Sequence, residues 1–240
     1  MAKKTSSYNK PPILEAIIKI AYIPSGKSFD FDKLPKALSK DFPVKRELIK
    51  DTLEYQINES KSSVSNSRIK EGFEFLSLDG NKIIRLTTDY ASYHIKENYK
   101  DWDNFYKIFE EIILYIFKKS KFKTNSLSVR YINRIDIPKI SFEMSEYFKL
   151  YPNFYKKFIM NSFFTQIQLS LSQDTLCIVN QAVTQPIKAG FTSLILDLDL
   201  IKTKELDDKG DIERAFLQLR KSKNEIFELS ITDKTRELFL

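Results

Sequence analysis

The chain has 240 residues, with 39 Lys+Arg against 32 Asp+Glu, a net charge of +7 and an apolar content of 42%. That balance belongs to a soluble, globular protein and excludes a disordered or fibrous chain. A single cysteine (Cys177) excludes an internal disulfide, a zinc ribbon or a CxxC redox centre, and a single histidine (His94) excludes a His-rich metal site.

From Ile13 to Tyr22 the residues alternate, with Leu14, Ala16, Ile18, Ile20 and Tyr22 on one side, which predicts a strand with one buried face. Asp30 to Lys40 reads as a short helix, with Phe31, Leu34 and Leu38 at helical spacing and Pro43 closing it. The polar, Ser-rich stretch Ser60 to Ser67 reads as a flexible loop or a bulging connection. A hairpin follows, Phe73 to Leu78 and Lys82 to Thr88, turning at Asp79-Gly80, since both residue types tolerate positive φ.

A third strand is predicted over Ala91 to Lys96. Asp101 then caps a long helix to Lys119, whose apolar stripe is Trp102, Phe105, Phe109, Ile112, Ile113 and Ile116. Ser126 to Ile137 is a strand. Asn161 to Leu171 and Thr175 to Val183 form a second hairpin, and Phe191 to Ile201 a further strand. A second long helix runs from Asp211 to Leu229, with Ile212, Ala215, Phe216, Leu219, Ile226 and Phe227 on one side, and a short helix starts at Asp233. The unit of hairpin, strand and long helix thus appears twice, near 72–119 and 161–229. The expected fold is a single α+β domain over 1–240, with half-units of about 1–138 and 139–240. It is an antiparallel sheet with two long helices packed on one face and a possible internal pseudo-repeat.

No export signal is expected, because the first apolar stretch is broken by Glu15 and Lys19. The longest apolar run, Ile112 to Phe117, is far short of the roughly 20 residues that cross a bilayer. The expected compartment is the cytoplasm, away from any membrane.

Three stretches together resemble a known family: Pro11 to Pro24 (PPILEAIIKIAYIP); Tyr99 to Ile112 leading to Ser128 to Pro138 (SVRYINRIDIP); and Phe227 to Phe239 (FELSITDKTRELF). The chain is similar to a sporadically distributed bacterial family of uncharacterised function, in which the RYINRI strand and the ITD helix start recur. The resemblance implies a full-length single module and an accessory gene of the kind associated with phage defence or mobile elements. It brings no catalytic assignment.

The densest polar group on a predicted strand is Arg130, Tyr131, Asn133, Arg134 and Asp136. Alternation puts Arg130, Ile132, Arg134 and Asp136 on one face and Tyr131 and Asn133 on the other. Two arginines on one face can grip a phosphate or carboxylate through their planar forks. They can equally pair across strands with Asp197 and Asp199, which share a face of LILDLDL. Those two aspartates also suggest a divalent-metal site of nuclease type, although the spacing such a site needs is absent. The string Ser25-Gly26-Lys27-Ser28 ends like a phosphate-binding loop, but Ala21 stands where the motif needs its first glycine.

His94 reads as a surface histidine and Cys177 as a buried, inert thiol. The aromatic stretch around Tyr147, Phe148, Tyr151 and Tyr155, interleaved with Lys149, Lys156 and Lys157, reads either as core or as a base-stacking or partner-docking surface. No catalytic residue, resident metal or cofactor is assigned. The expected function is a non-catalytic recognition or regulatory component of a bacterial accessory system, acting with a protein partner encoded by a neighbouring gene. A nucleic-acid binder and a metal-dependent nuclease are the alternatives, and a homo-oligomer is compatible with each.

Overall fold

A computed structural model of the chain describes residues 8–25, 32–58, 61–119, 121–152 and 161–240. Among them are nine strands: β1 (Ile13–Ser25), β2 (Val44–Asn58), β3 (Lys61–Leu76), β4 (Lys82–Thr87), β5 (Tyr90–Ile95), β6 (Lys121–Ile137), β7 (Phe164–Ser172), β8 (Thr175–Thr184) and β9 (Thr192–Lys202). The helices are α1 (Trp102–Lys119), α2 (Lys209–Ser230) and α3 (Asp233–Glu237). The strands form one antiparallel sheet in the order β2-β3-β4-β5-β1-β6-β9-β8-β7. The chain is therefore an α+β protein built on one antiparallel sheet.

The order follows from two meanders. β2 to β5 run as a meander whose last strand returns to pair with β1, and β7 to β9 run as another whose last strand returns to pair with β6. β1 and β6 pair with each other at the centre, over nearly their whole length.

Period-two alternation gives the sheet two faces of opposite character. One carries Ile18, Ile20, Tyr93, Val129, Tyr131, Leu196 and Leu198, all buried. Helix α1 contacts β5 and β6, and α2 contacts β6 and β9. Phe105 of α1 stacks on Tyr93, with ring centres 5.2 Å apart, and meets Tyr131 edge-on at 6.4 Å. Phe109 and Phe216 join α1 to α2 at 5.6 Å. The expected stripe of α1 is buried throughout, and Asp101 caps the helix by accepting from the Asn104 N–H at 2.8 Å. Asp208 does the same for α2 through the Asp211 N–H.

Three expectations are corrected. Leu14 is 44% exposed, because a register shift between Ile13 and Glu15 makes it an extra residue that turns outward. No helix forms over residues 32–40. The Leu38 and Ser39 N–H groups turn back to the Pro35 carbonyl and those of Asp41 and Phe42 to the Leu38 carbonyl, turns that do not join into a helix, since so short a run between Pro35 and Pro43 cannot meet the cost of nucleating one. Phe31 lies outside the described residues. Of the stretch expected as a loop, 61–67 belongs to β3, paired with a strand β2 that periodicity did not reveal. Here the backbone ladder supplies the structure. Residues 67–70 are exposed on both faces, so no apolar alternation marks them. The expected Asp-Gly turn is present, with Gly80 at φ +70 and Asp79 accepting from the Asn81 N–H.

Candidate functional site

The strand β6 sends its polar residues to both sides of the sheet. On the face away from α1 and α2, Arg130 donates through Nε and Nη2 to the two carboxylate oxygens of Asp197, at 2.9 and 2.7 Å. Asn180 adds a third donor to Asp197 at 3.0 Å. Arg134 is held by Asp136 at 3.0 Å and by the Gln185 carbonyl, and Ser193 donates to Asp136. Asp199 sits opposite Arg130 in register, yet its Oδ1 is buried with no hydrogen-bond partner. Burial, above all, raises its carboxyl above the usual range. Both arginine forks and three of these carboxylate oxygens are thus spoken for by neighbours on the same face. Among the described residues no group of three His, Cys, Asp or Glu is arranged to hold a metal.

His94 is corrected from a surface residue to a buried one, 7% exposed. It bridges Ser92, 3.0 Å from Nε2, and Glu15, 3.0 Å from Nδ1. The histidine hydrogen bond lowers the Glu15 carboxyl. Ser, His and Glu in a chain resemble a nucleophile with its base and orienting acid. However, Ser92 is 2% exposed and lies mid-strand in β5, which leaves its hydroxyl no room for an acyl group. The chain satisfies buried polar groups. Sequence reasoning missed it because Glu15 comes from β1 and meets His94 only through sheet pairing. Cys177 is buried, and burial pushes its thiol up to about 12. Tyr147 and Phe148 are core residues, while Tyr151 lies at the surface, 36% exposed; Tyr155, Lys156 and Lys157 lie outside the described residues.

The other two residues singled out on β6, Tyr131 and Asn133, line a cavity of about 230 Å³ on the helix side. Its walls come from four places in the chain: Pro11 to Ile13 at the entry to β1, Tyr99 to Trp102 at the start of α1, the strand β6, and α2. The outward bulge at Leu14 brings Ile13 onto the same face as Tyr131, opposite Asn133. The Tyr131 hydroxyl donates to that of Tyr99 at 2.7 Å, and burial pushes the Tyr131 phenol well up. Asn133 donates to the carbonyls of Tyr131 and Leu196 and is thereby fixed. Tyr8 closes one side, its ring against Phe227 and Phe239 and its hydroxyl donating to Glu228 at 2.6 Å.

Helix α2 gives the cavity its charge. Arg220, Lys223, Asn224, Phe227 and Glu228 follow helical spacing and line one face. The Lys223 ammonium lies 3.8 Å from the centre of the Tyr131 ring and has neither a hydrogen bond nor an ion pair among the described residues. Burial foremost, and the neighbouring Arg220, pull its pKa down to about 7. Arg220 lies 5.4 Å from the Trp102 ring and meets Asp103 at only 4.0 Å.

The acids nearby are occupied. Asp101 accepts from the Asn104 backbone and side chain as the cap of α1, and Glu228 accepts from Tyr8 and Arg236. Lys223 therefore faces an aromatic-walled space with no ion-pair partner among the described residues, and Arg220 with only the exposed Asp103 at 4.0 Å. Such a site suits a carboxylate or phosphate group carried next to a flat or apolar moiety. Arg220 and Lys223 were not singled out from sequence, but a signal exists. The buried series Ile212, Ala215, Phe216, Leu219 and Ile226, Phe227 skips one turn, and Lys223 stands in the gap.

No protein-family model, no curated protein and no solved structure matches this chain.

Proposed function

We propose that the chain is a non-catalytic recognition component that acts with a protein partner and reads an anionic group of that partner in the cavity between β6 and α2. One observation carries the reading: Arg220 and Lys223 face an aromatic cavity while Asp101 and Glu228 are engaged by other groups. A second supports it. The cavity draws residues from every stretch that carries the family resemblance: Pro11 to Ile13, Tyr99 to Trp102, Tyr131 with Asn133, and Phe227 with Glu228. On this reading the protein is cytoplasmic and belongs to a bacterial accessory system, with its partner encoded nearby. The two long helices form a common cover over one face of the sheet, and the two halves are copies of one unit. The topology supports this, since each half runs from a central strand through a meander that returns to it and on to a long helix.

The nucleic-acid and nuclease readings draw less support. Arg130 and Arg134 are engaged by Asp197 and Asp136, and Asp197 is held bidentately by Arg130. Among the described residues no helix is long and apolar enough to cross a membrane.

The test is purification of the tagged chain from cells that carry its neighbouring genes, with co-purifying proteins identified by mass spectrometry. The wild type retains one stoichiometric partner, and a chain carrying Arg220→Gln and Lys223→Met loses it. Equal retention by both, or turnover of a nucleic acid or nucleotide by the purified chain alone, overturns the reading.

A further inference from the structure

The two edges of the sheet are built differently. β2, at one edge, carries Lys45, Arg46, Glu47, Lys50, Asp51 and Glu54. Charges on an edge strand discourage pairing with another chain, because an incoming strand would have to desolvate or oppose them. β7, at the other edge, reads FTQIQLSLS and has no charged residue and no proline. It pairs with β8 on one side and with no strand on the other among the described residues. Its outward backbone groups therefore have no partner strand, and apolar side chains stand exposed on both of its faces, with Phe164 68% and Leu169 38% accessible.

We infer that β7 is an assembly edge and that its occupant is β7 of a second copy of this chain, paired antiparallel about a two-fold axis through Gln168. The strand is self-complementary in that register. An antiparallel pair faces side chains of the same parity, so the axis must pass through a residue. Leu171 is a bulge against β8, so the regular ladder about Gln168 covers Gln166–Ser170, and an axis at Gln168 sets the apolar Ile167 against the apolar Leu169. Ile167 then lies opposite the second copy's Leu169, on the face that β7 shares with Cys177 and Val179 of β8. Gln166 lies opposite Ser170 on the other face. At the centre of the ladder an apolar pair and an amide–hydroxyl pair flank the axis, and no charge stands anywhere along it. The chain as a whole carries +7, so two copies repel over much of their surface. β7 is a nine-residue strand that contributes nothing to that repulsion. The product is one continuous sheet across the dimer, with α1 and α2 of both copies on the same side.

The register makes Gln168 its own neighbour across the axis, and this provides the test. Sedimentation velocity of the full chain shows a monomer–dimer equilibrium. Gln168→Lys and Gln168→Glu each set like charges directly opposite and weaken the dimer by about fivefold, while an equimolar mixture of the two restores it. Gln168 is exposed, so neither variant threatens folding, and circular dichroism checks this independently. A wild type that stays monomeric at every concentration overturns the inference. So does a dimer that both variants leave unchanged, or a mixture no more dimeric than its components.

Discussion

Lys223 is the residue on which the candidate site turns. Arg220 and Glu228 on its own helix, Tyr131 beneath it, Tyr8 at one side, and Tyr99, Lys100 and Asp101 at the start of α1 are the ionisable groups around its cavity. Its pKa falls from the ordinary 10.5 to about 7, mainly through burial. Between those two values the unfolded chain binds a proton that the folded chain does not, so this group's contribution makes stability rise with pH across that window. Lys223→Met should abolish that slope and raise stability at neutral pH, read by urea denaturation at a series of pH values. Anion binding uses the protonated form and so has the opposite dependence. The stabilisation that sulfate gives the wild type should shrink from about pH 6 to about pH 9. In Lys223→Met it should be small and flat, and the difference between the two removes the general salt effect.

Asp197 and Asp199 point the same way from one strand, yet they should respond oppositely to substitution. Asp197 satisfies Arg130 and Asn180 and is itself satisfied, so Asp197→Ala leaves a guanidinium without its acceptor and should cost about 1–3 kcal/mol. Asp199 carries a buried oxygen with no partner and a carboxyl whose charged form is disfavoured by burial. Asp199→Asn at neutral pH should therefore be neutral or stabilising, with thermal unfolding as the measurement. If the two substitutions cost the same, the ion network has been misassigned.

At the scale of elements, β3 has two parts with different supports. From Gly72 onward it lies in the core sheet, with Phe73 and Phe75 buried. Before it, residues 67–70 are exposed and paired only with β2. The junction is a register shift against Leu48 and Ile49, followed by a glycine pressed against β4. A Cβ at Gly72 would lie 2.1 Å from the Leu86 carbonyl oxygen and 2.7 Å from the Thr87 Cα, both backbone atoms that cannot rotate away. Gly72→Ala should therefore force β3 and β4 apart and cost about 1–3 kcal/mol, seen as a lowered denaturation midpoint. Hydrogen exchange should then rise along β4 and the inner part of β3 and leave β8 unaffected.

Across the whole molecule, the two faces of the sheet have different duties. One carries Tyr131 and Asn133, which line the cavity; the other holds three polar networks, Glu15–His94–Ser92, Arg130–Asp197–Asn180 and Arg134–Asp136–Ser193. Pairing through β7 would extend both faces without touching either site. The two copies would then present two equivalent cavities, and loss of the dimer should leave partner capture by a single cavity intact. Comparing partner retention by wild type and Gln168→Lys at matched concentration checks that independence.

Much of this was legible along the chain because it is encoded locally. The stripe Trp102 to Ile116 with Asp101 before it, the Asp79-Gly80 turn and the division of Arg130 and Arg134 from Tyr131 and Asn133 each follow from spacing within a few residues. The elements that escaped notice have no such local signature. Residues 67–70 of β3 are exposed and meet β2 through the backbone ladder and the exposed ion pairs Arg68–Asp51 and Lys70–Glu47, which leaves no apolar period to read. The burial of His94 needs Glu15 from another strand, and the outward turn of Leu14 needs the register of β6. The sequence therefore specified the two long helices, the apolar strands and which way most of their side chains face, because periodicity and capping act at short range. The tertiary structure alone decided that Lys223 and Arg220 would meet Tyr131, Trp102 and Pro12 around one cavity, and that uncharged β7 would be left at an edge. Both depend on strand order and helix docking, which are settled by contacts between residues far apart in the chain.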